Sequence, residues 1–97
     1  MTDKSIKKTP RTAIIVLNYK AIDDTLLCLG SLLKLKNKSN KIIVIENGSG
    51  DESAKKLREL SASPTYKGVE VIYNSINKGF TGGVNTGISW AIENEYE

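Results

Sequence analysis

Residues 74–87 read Asn74-Ser75-Ile76-Asn77-Lys78-Gly79-Phe80-Thr81-Gly82-Gly83-Val84-Asn85-Thr86-Gly87. Four of the chain's eight glycines fall between Gly79 and Gly87, too dense for an ordinary connection. The backbone there must turn through positive φ or let another group come close. An alternating apolar run, residues 69–73, precedes the stretch, and a helical pattern, Val84, Ile88, Ala91 and Ile92, follows it. A strand, a glycine-rich loop and a helix start form a place for a phosphate-bearing ligand, because helix N-termini present unpaired N–H groups and positive potential.

Working outward, residues 12–18 form a continuous β-branched and aliphatic run, as in a strand buried on both faces of a parallel sheet. Asp23 or Asp24 can cap a helix whose inner stripe is Leu26, Leu29 and Leu33, widened by Leu27 and Leu32. Residues 37–40 read as a polar turn, residues 41–46 as a second strand and residues 47–51 as another turn. Ser49 and Glu52 have capping-box spacing, while Asp51 reads as a helix cap. Ala54, Leu57 and Leu60 mark the second helix, with Lys55 and Glu59 placed to pair on its outer face, and Thr81 is a cap for the third helix. The order β-α-β-α-β-α predicts a parallel sheet with right-handed crossovers.

Composition narrows the functions available. The 97 residues are 39% apolar and 26% charged, in the range of one small folded domain. The longest apolar run, residues 13–17, is far below the roughly 20 residues of a membrane span. Residues 1–11 are expected to be a disordered basic tail without the apolar core of a secretory signal. The net charge of +3 suits an anionic ligand. No aromatic residues interleave the lysines, so nucleic acid is not an expected partner. The single cysteine, Cys28, cannot form an internal disulfide, and a cytoplasmic location is the default. The chain has no histidine, which removes a His base for Cys28, His-ligated zinc and a Ser-His-Asp triad. There is no P-loop, and no G-x-G-x-x-G follows the first strand.

Three segments together, Ala13-Ile14-Ile15-Val16-Leu17-Asn18-Tyr19, Ile42-Ile43-Val44-Ile45-Glu46-Asn47-Gly48-Ser49-Gly50-Asp51-Glu52-Ser53 and residues 77–87, resemble the N-terminal part of family-2 glycosyltransferases, nearest to the rhamnosyltransferase-like branch. The resemblance covers residues 12–90. It implies an α/β fold, the three-layer Rossmann-like β-α-β-α-β-α half of a GT-A fold, with a parallel sheet in strand order 3-2-1. In the full fold the first strand is central, the first two helices cover one face and the third helix covers the other. It also implies a nucleoside-diphosphate sugar donor, UDP- or dTDP-linked, and inverting transfer to an acceptor hydroxyl. Ligands of open α/β sheets bind outside the carboxyl ends of the strands.

By this resemblance, Asn18 and Tyr19 border the nucleobase and ribose. Glu46 stands where the family has Asp, whose carboxylate accepts a hydrogen bond from the base, so a uracil or thymine N3–H is its expected donor. Lys20 stands where the family often has Asn. Lys78, Gly79 and Gly82 face the base and diphosphate, and Asn85 ties the glycine loop to its helix or reaches the donor. Asn47 shapes its own turn or binds directly; Lys78 is a solvated loop lysine or a phosphate partner. Gly83 and Gly87 read as close helix–sheet packing, Phe80 and Trp90 as core. No catalytic residue or metal ligand is assigned within the chain, Glu93, Glu95 and Glu97 reading as a solvated tail. The family's divalent metal, Mn2+ or Mg2+, and its carboxylate base are expected beyond residue 97. Residues 12–97 are thus expected to be the donor-binding part of a longer transferase, inactive alone and binding no metal alone. Its cytoplasmic parent could be membrane-associated, and a homodimer is expected through the exposed edge of the first strand. The alternative reading is a non-catalytic α/β nucleotide-binding or protein-interaction module.

Overall fold

The computed structural model describes residues 11–34 and 40–96. The basic tail at residues 1–10, most of the expected 37–40 turn and Glu97 lie outside them. Three strands, β1 (Thr12–Asn18), β2 (Asn40–Asn47) and β3 (Glu70–Asn74), alternate with three helices, α1 (Ile22–Lys34), α2 (Ser53–Ser61) and α3 (Gly79–Glu93). A short 3-10 turn, Pro64–Tyr66, precedes β3.

All pairing is parallel, with Asn18 opposite Glu46, and Asn47 opposite Asn74. The sheet runs in sequential order, β1-β2-β3. This corrects the expected GT-A half-sheet in strand order 3-2-1. The central strand here is β2, and β1 is an edge with one neighbour among the described residues. The burial follows from that place: Ile43, Val44 and Ile45 of β2 are all fully buried, whereas residues 13–17 of β1 are only half-buried.

Alternation along the strands sends successive side chains to opposite faces. On one face Val44 meets Ile22 and Leu29 of α1 and Leu57 of α2, with Val16, Leu26, Ile42, Leu60 and Val71 around them. On the other face α3 lies across β1 and β2. A Cβ added at Gly83 would stand 2.5 Å from Leu17 Cδ1, and one at Gly87 would stand 2.9 Å from Ile15 Cγ2. These two glycines, one helical turn apart, let the helix backbone settle onto the strand, as the sequence predicts.

Several local expectations are corrected. Leu27 falls off the inner stripe of α1 and is 73% exposed. The helix α3 starts at Gly79, ahead of Thr81, and the Gly79 N–H donates to Asn77 Oδ1 at 2.8 Å. That start turns Phe80 outward, 75% exposed rather than core. Trp90 is half-buried, its ring 5.6 Å from that of Tyr96. Ser49 forms no capping box, because its hydroxyl is used elsewhere; Asp51 Oδ1 instead accepts from the Ser53 N–H at 2.8 Å at the start of α2. The ion pair on α2 is Lys56 with Glu52, at 3.4 Å, in place of Lys55 with Glu59.

Candidate functional site

Each strand ends in an asparagine, Asn18, Asn47 and Asn74, and all three are buried. An amide at a strand end can satisfy both the last ladder positions and the loop that leaves them, because it carries two donors and an acceptor oxygen with two lone pairs. The three asparagines anchor two separate polar networks at the carboxyl end of the sheet.

The first network lies on the α1–α2 side and centres on Glu46, which is 3% exposed. Asn18 Nδ2 donates to Glu46 Oε1 at 3.0 Å, and the Ser49 N–H donates to Glu46 Oε2 at 3.0 Å. The Ser49 hydroxyl also donates to Glu46 Oε1. Thr25 Oγ1 donates to Asn18 Oδ1 at 2.6 Å, tying α1 to the strand end. The Lys20 N–H donates to Ser49 Oγ at 2.9 Å, and Lys20 holds a left-handed φ of 53°. The Lys20 ammonium lies 5.4 Å from the ring centroid of Tyr19, which is 39% exposed.

The second network lies on the α3 side and centres on Asn47. Its Oδ1 accepts from Asn74 Nδ2 at 3.0 Å and from the Lys78 N–H at 3.3 Å. Its Nδ2 donates to Asn77 Oδ1 and to the Gly79 carbonyl, each at 3.1 Å. All four hydrogen-bonding positions of this amide are therefore filled by the protein. Thr86 Oγ1 donates to the Gly82 carbonyl at 3.1 Å, and Asn74 Nδ2 also donates to Thr86 Oγ1 at 3.3 Å. Between the networks, Gly48 has φ of +68°, and an added Cβ would stand 2.7 Å from Ile76 Cα, with the Ile76–Asn77 peptide closer still. The turn after β2 and the loop after β3 can touch only because this position lacks a side chain.

The structure thus brings Asn18, Glu46, Asn47, Lys78, Gly79 and Gly82 to one end of the sheet. Asn18, Glu46 and Asn47 form its buried layer. Tyr19, Lys78, Gly79 and Asn85 are exposed, and Gly82 is half-buried beside Lys78. Asn47 takes the turn-shaping option, and it shapes the loop after β3 as well as its own. Sequence reasoning missed Thr25, Ser49, Asn74, Asn77 and Thr86 as partners. The repeated strand-terminal asparagine was the available signal for Asn74; nothing local marks Thr25 or Thr86.

The family's metal needs converging carboxylates, and the described residues do not supply them. No group of three or more His, Cys, Asp or Glu converges among the described residues, and Glu46 spends its carboxylate on Asn18 and Ser49. No helix among the described residues is long and apolar enough to cross a membrane.

No curated protein and no solved structure matches the chain. A family model, described as glycosyl transferase family 2, matches residues 13–94. That match spans all three strands and both networks, and by it the chain belongs to glycosyl transferase family 2.

Proposed function

We propose that this chain binds the donor of a sugar-transfer reaction, a nucleoside-diphosphate sugar, across the carboxyl end of its sheet. The observation that carries the reading is that the β1, β2 and β3 ends carry two buried hydrogen-bonded networks side by side, the second of them beside the first turn of α3. The nucleoside lies against Tyr19 and the turn after β2, and the diphosphate lies towards Lys78, Gly79 and Gly82. There the opening turn of a 15-residue helix offers the positive end of its dipole and the main-chain N–H groups that follow Gly79, whose own N–H is taken by Asn77. Asn85, exposed on the next turn, reaches the donor from the same side. Asn18, Glu46 and Asn47 hold the floor from beneath.

The finer form of the reading is a uracil or thymine nucleotide, a rhamnosyltransferase-like branch and inverting transfer to a hydroxyl. It also places the protein in the cytoplasm, where the exposed, unpaired Cys28 is compatible with reducing conditions. A carboxylate base and the divalent metal, Mn2+ or Mg2+, are supplied by residues other than those described. Self-association through β1 belongs to the same reading, supported by its uncharged edge, Ala13-Ile14-Ile15-Val16-Leu17. Sedimentation showing only monomer at micromolar concentration would remove that element.

Titration calorimetry with UDP, dTDP and GDP, with and without Mn2+, tests the core of the reading. Binding of UDP or dTDP that weakens at least fivefold in Lys78→Ala is the expected result. Absence of binding by every nucleotide would replace it with a protein-interaction module.

A further inference from the structure

We propose that Glu46 is a positioning residue and makes no contact with the nucleobase, an inference that rests on the donor-binding reading above. Its carboxylate is 3% exposed and accepts three hydrogen bonds from inside the protein, from Asn18 Nδ2, the Ser49 N–H and the Ser49 hydroxyl. Both oxygens are engaged, on the side of the sheet covered by α1 and α2. A carboxylate in this state has no exposed oxygen to offer an imide N–H.

Its work is done through Ser49. With its hydroxyl proton directed at Glu46, Ser49 Oγ presents lone pairs, and it accepts the Lys20 N–H at 2.9 Å. That bond fixes Lys20 in its left-handed bend, a conformation costly for a residue with a side chain. The bend in turn sets where Tyr19 emerges. Glu46 therefore joins the turn after β2 to the bend after β1 and shapes the nucleoside end of the site from below. The carboxylate does this by folding back onto the N–H three residues ahead. Base selection then falls to Tyr19 and to the main chain of the bend.

Two measurements test this. The first needs no ligand: amide hydrogen exchange, followed by NMR, in Glu46→Gln and Ser49→Ala. Glutamine keeps the length of Glu46 but places a donor where one of three donors must be accepted. Ser49→Ala removes only the hydroxyl and guards against a folding failure of the first variant. At least tenfold faster exchange at Lys20 is expected in each, with Leu57 in α2 unchanged; exchange within twofold of the parent at Lys20 in both would overturn the proposal. The second compares the cost of N3-methylation of UDP, by calorimetry, in the unmodified chain and in Glu46→Ala. The same cost within twofold in both is expected, and a tenfold cost in the unmodified chain that disappears in Glu46→Ala would place the base on Glu46 and overturn the proposal. If neither nucleotide binds, the donor-binding reading falls, and the exchange data alone decide whether Glu46 holds the bend.

Discussion

On the α1–α2 face of the sheet, Leu29, Val44 and Leu57 are fully buried and fill the space between layers with side chains. On the α3 face, Gly83 and Gly87 remove side chains so that the helix backbone lies against Leu17 and Ile15. The outer side of α3 keeps Phe80, Ile88 and Ile92 at 75%, 42% and 68% exposure. The polar floors differ in parallel. The first face ends in a carboxylate surrounded by donors, the second in a neutral amide with every position filled. One face is built for bulk, the other for closeness, and the glycine loop sits on the face built for closeness. A backbone approach that tight leaves little tolerance for added atoms but loses little when exposed side chains are cut back.

The largest effect that sharpens this contrast should come where the faces meet. Gly48→Val forces a branched side chain into the Ile76–Asn77 peptide at a left-handed φ. Its cost should exceed about 3 kcal/mol, a large share of the whole stability of a chain of this size, and should lower the melting temperature sharply. A normal thermal transition in that variant would show that the two loops can part without loss of the fold.

Leu57→Ala on the bulk-filled face should cost ~2–5 kcal/mol by chemical denaturation, the range for a fully buried leucine. Phe80→Ser on the other face should stay within ~0.5 kcal/mol of the parent. Equal losses in the two variants would break the comparison, since they would mean that Phe80 is covered in solution.

Asn47→Ala removes the hub of the amide network, leaving the Lys78 N–H and the Gly79 carbonyl without their partner and Asn74 Nδ2 with Thr86 alone. A loss of ~1–3 kcal/mol follows from leaving buried polar groups unpaired. Amide exchange should rise across residues 77–79 and remain unchanged at Lys20, which belongs to the other network. Matching changes at both places would show that the two floors are one unit.

The smallest effect concerns Asp51. The neighbouring Ser53 hydroxyl and the Ser53 N–H, which donates to Asp51 Oδ1, hold its carboxyl below the ordinary value of 3.8. Its folded pKa is depressed, so the stability it contributes is present above the unfolded value and is lost as pH falls through the folded one. Asp51→Ala should therefore lower the melting temperature slightly at neutral pH, and the difference should vanish in strong acid. A gap that persists there would mean that the side chain acts through packing.

Much of this architecture is legible in the chain itself. The runs 12–18, 41–46 and 69–73 each read as strands, and each is one, because short β-branched and aliphatic runs bounded by turn residues carry a local signature. The helical spacing of Leu57 and Leu60 marked α2 for the same reason, and the pairing of Gly83 with Gly87 marked a close helix. The floor residues were partly legible: Asn18, Glu46 and Asn47 stood out as strand ends, and the structure brings them together. Their partners did not stand out. Ser49 had two possible uses, as a helix cap or as a partner of Glu46, and the choice depends on where Asn18 and Lys20 arrive from another strand. Phe80 was misplaced because apolar character does not say which side of a helix finds a neighbour.

By itself the sequence determined the alternation of strands and helices, the parallel sense of the sheet and the family, since each rests on short-range pattern and spacing. Tertiary structure alone decided that the Glu46 carboxylate turns inward and that Asn47 is fully occupied. Those outcomes depend on competition among hydrogen-bonding and packing partners that are 27 to 32 residues apart in the chain, and that competition is settled only when the layers come together.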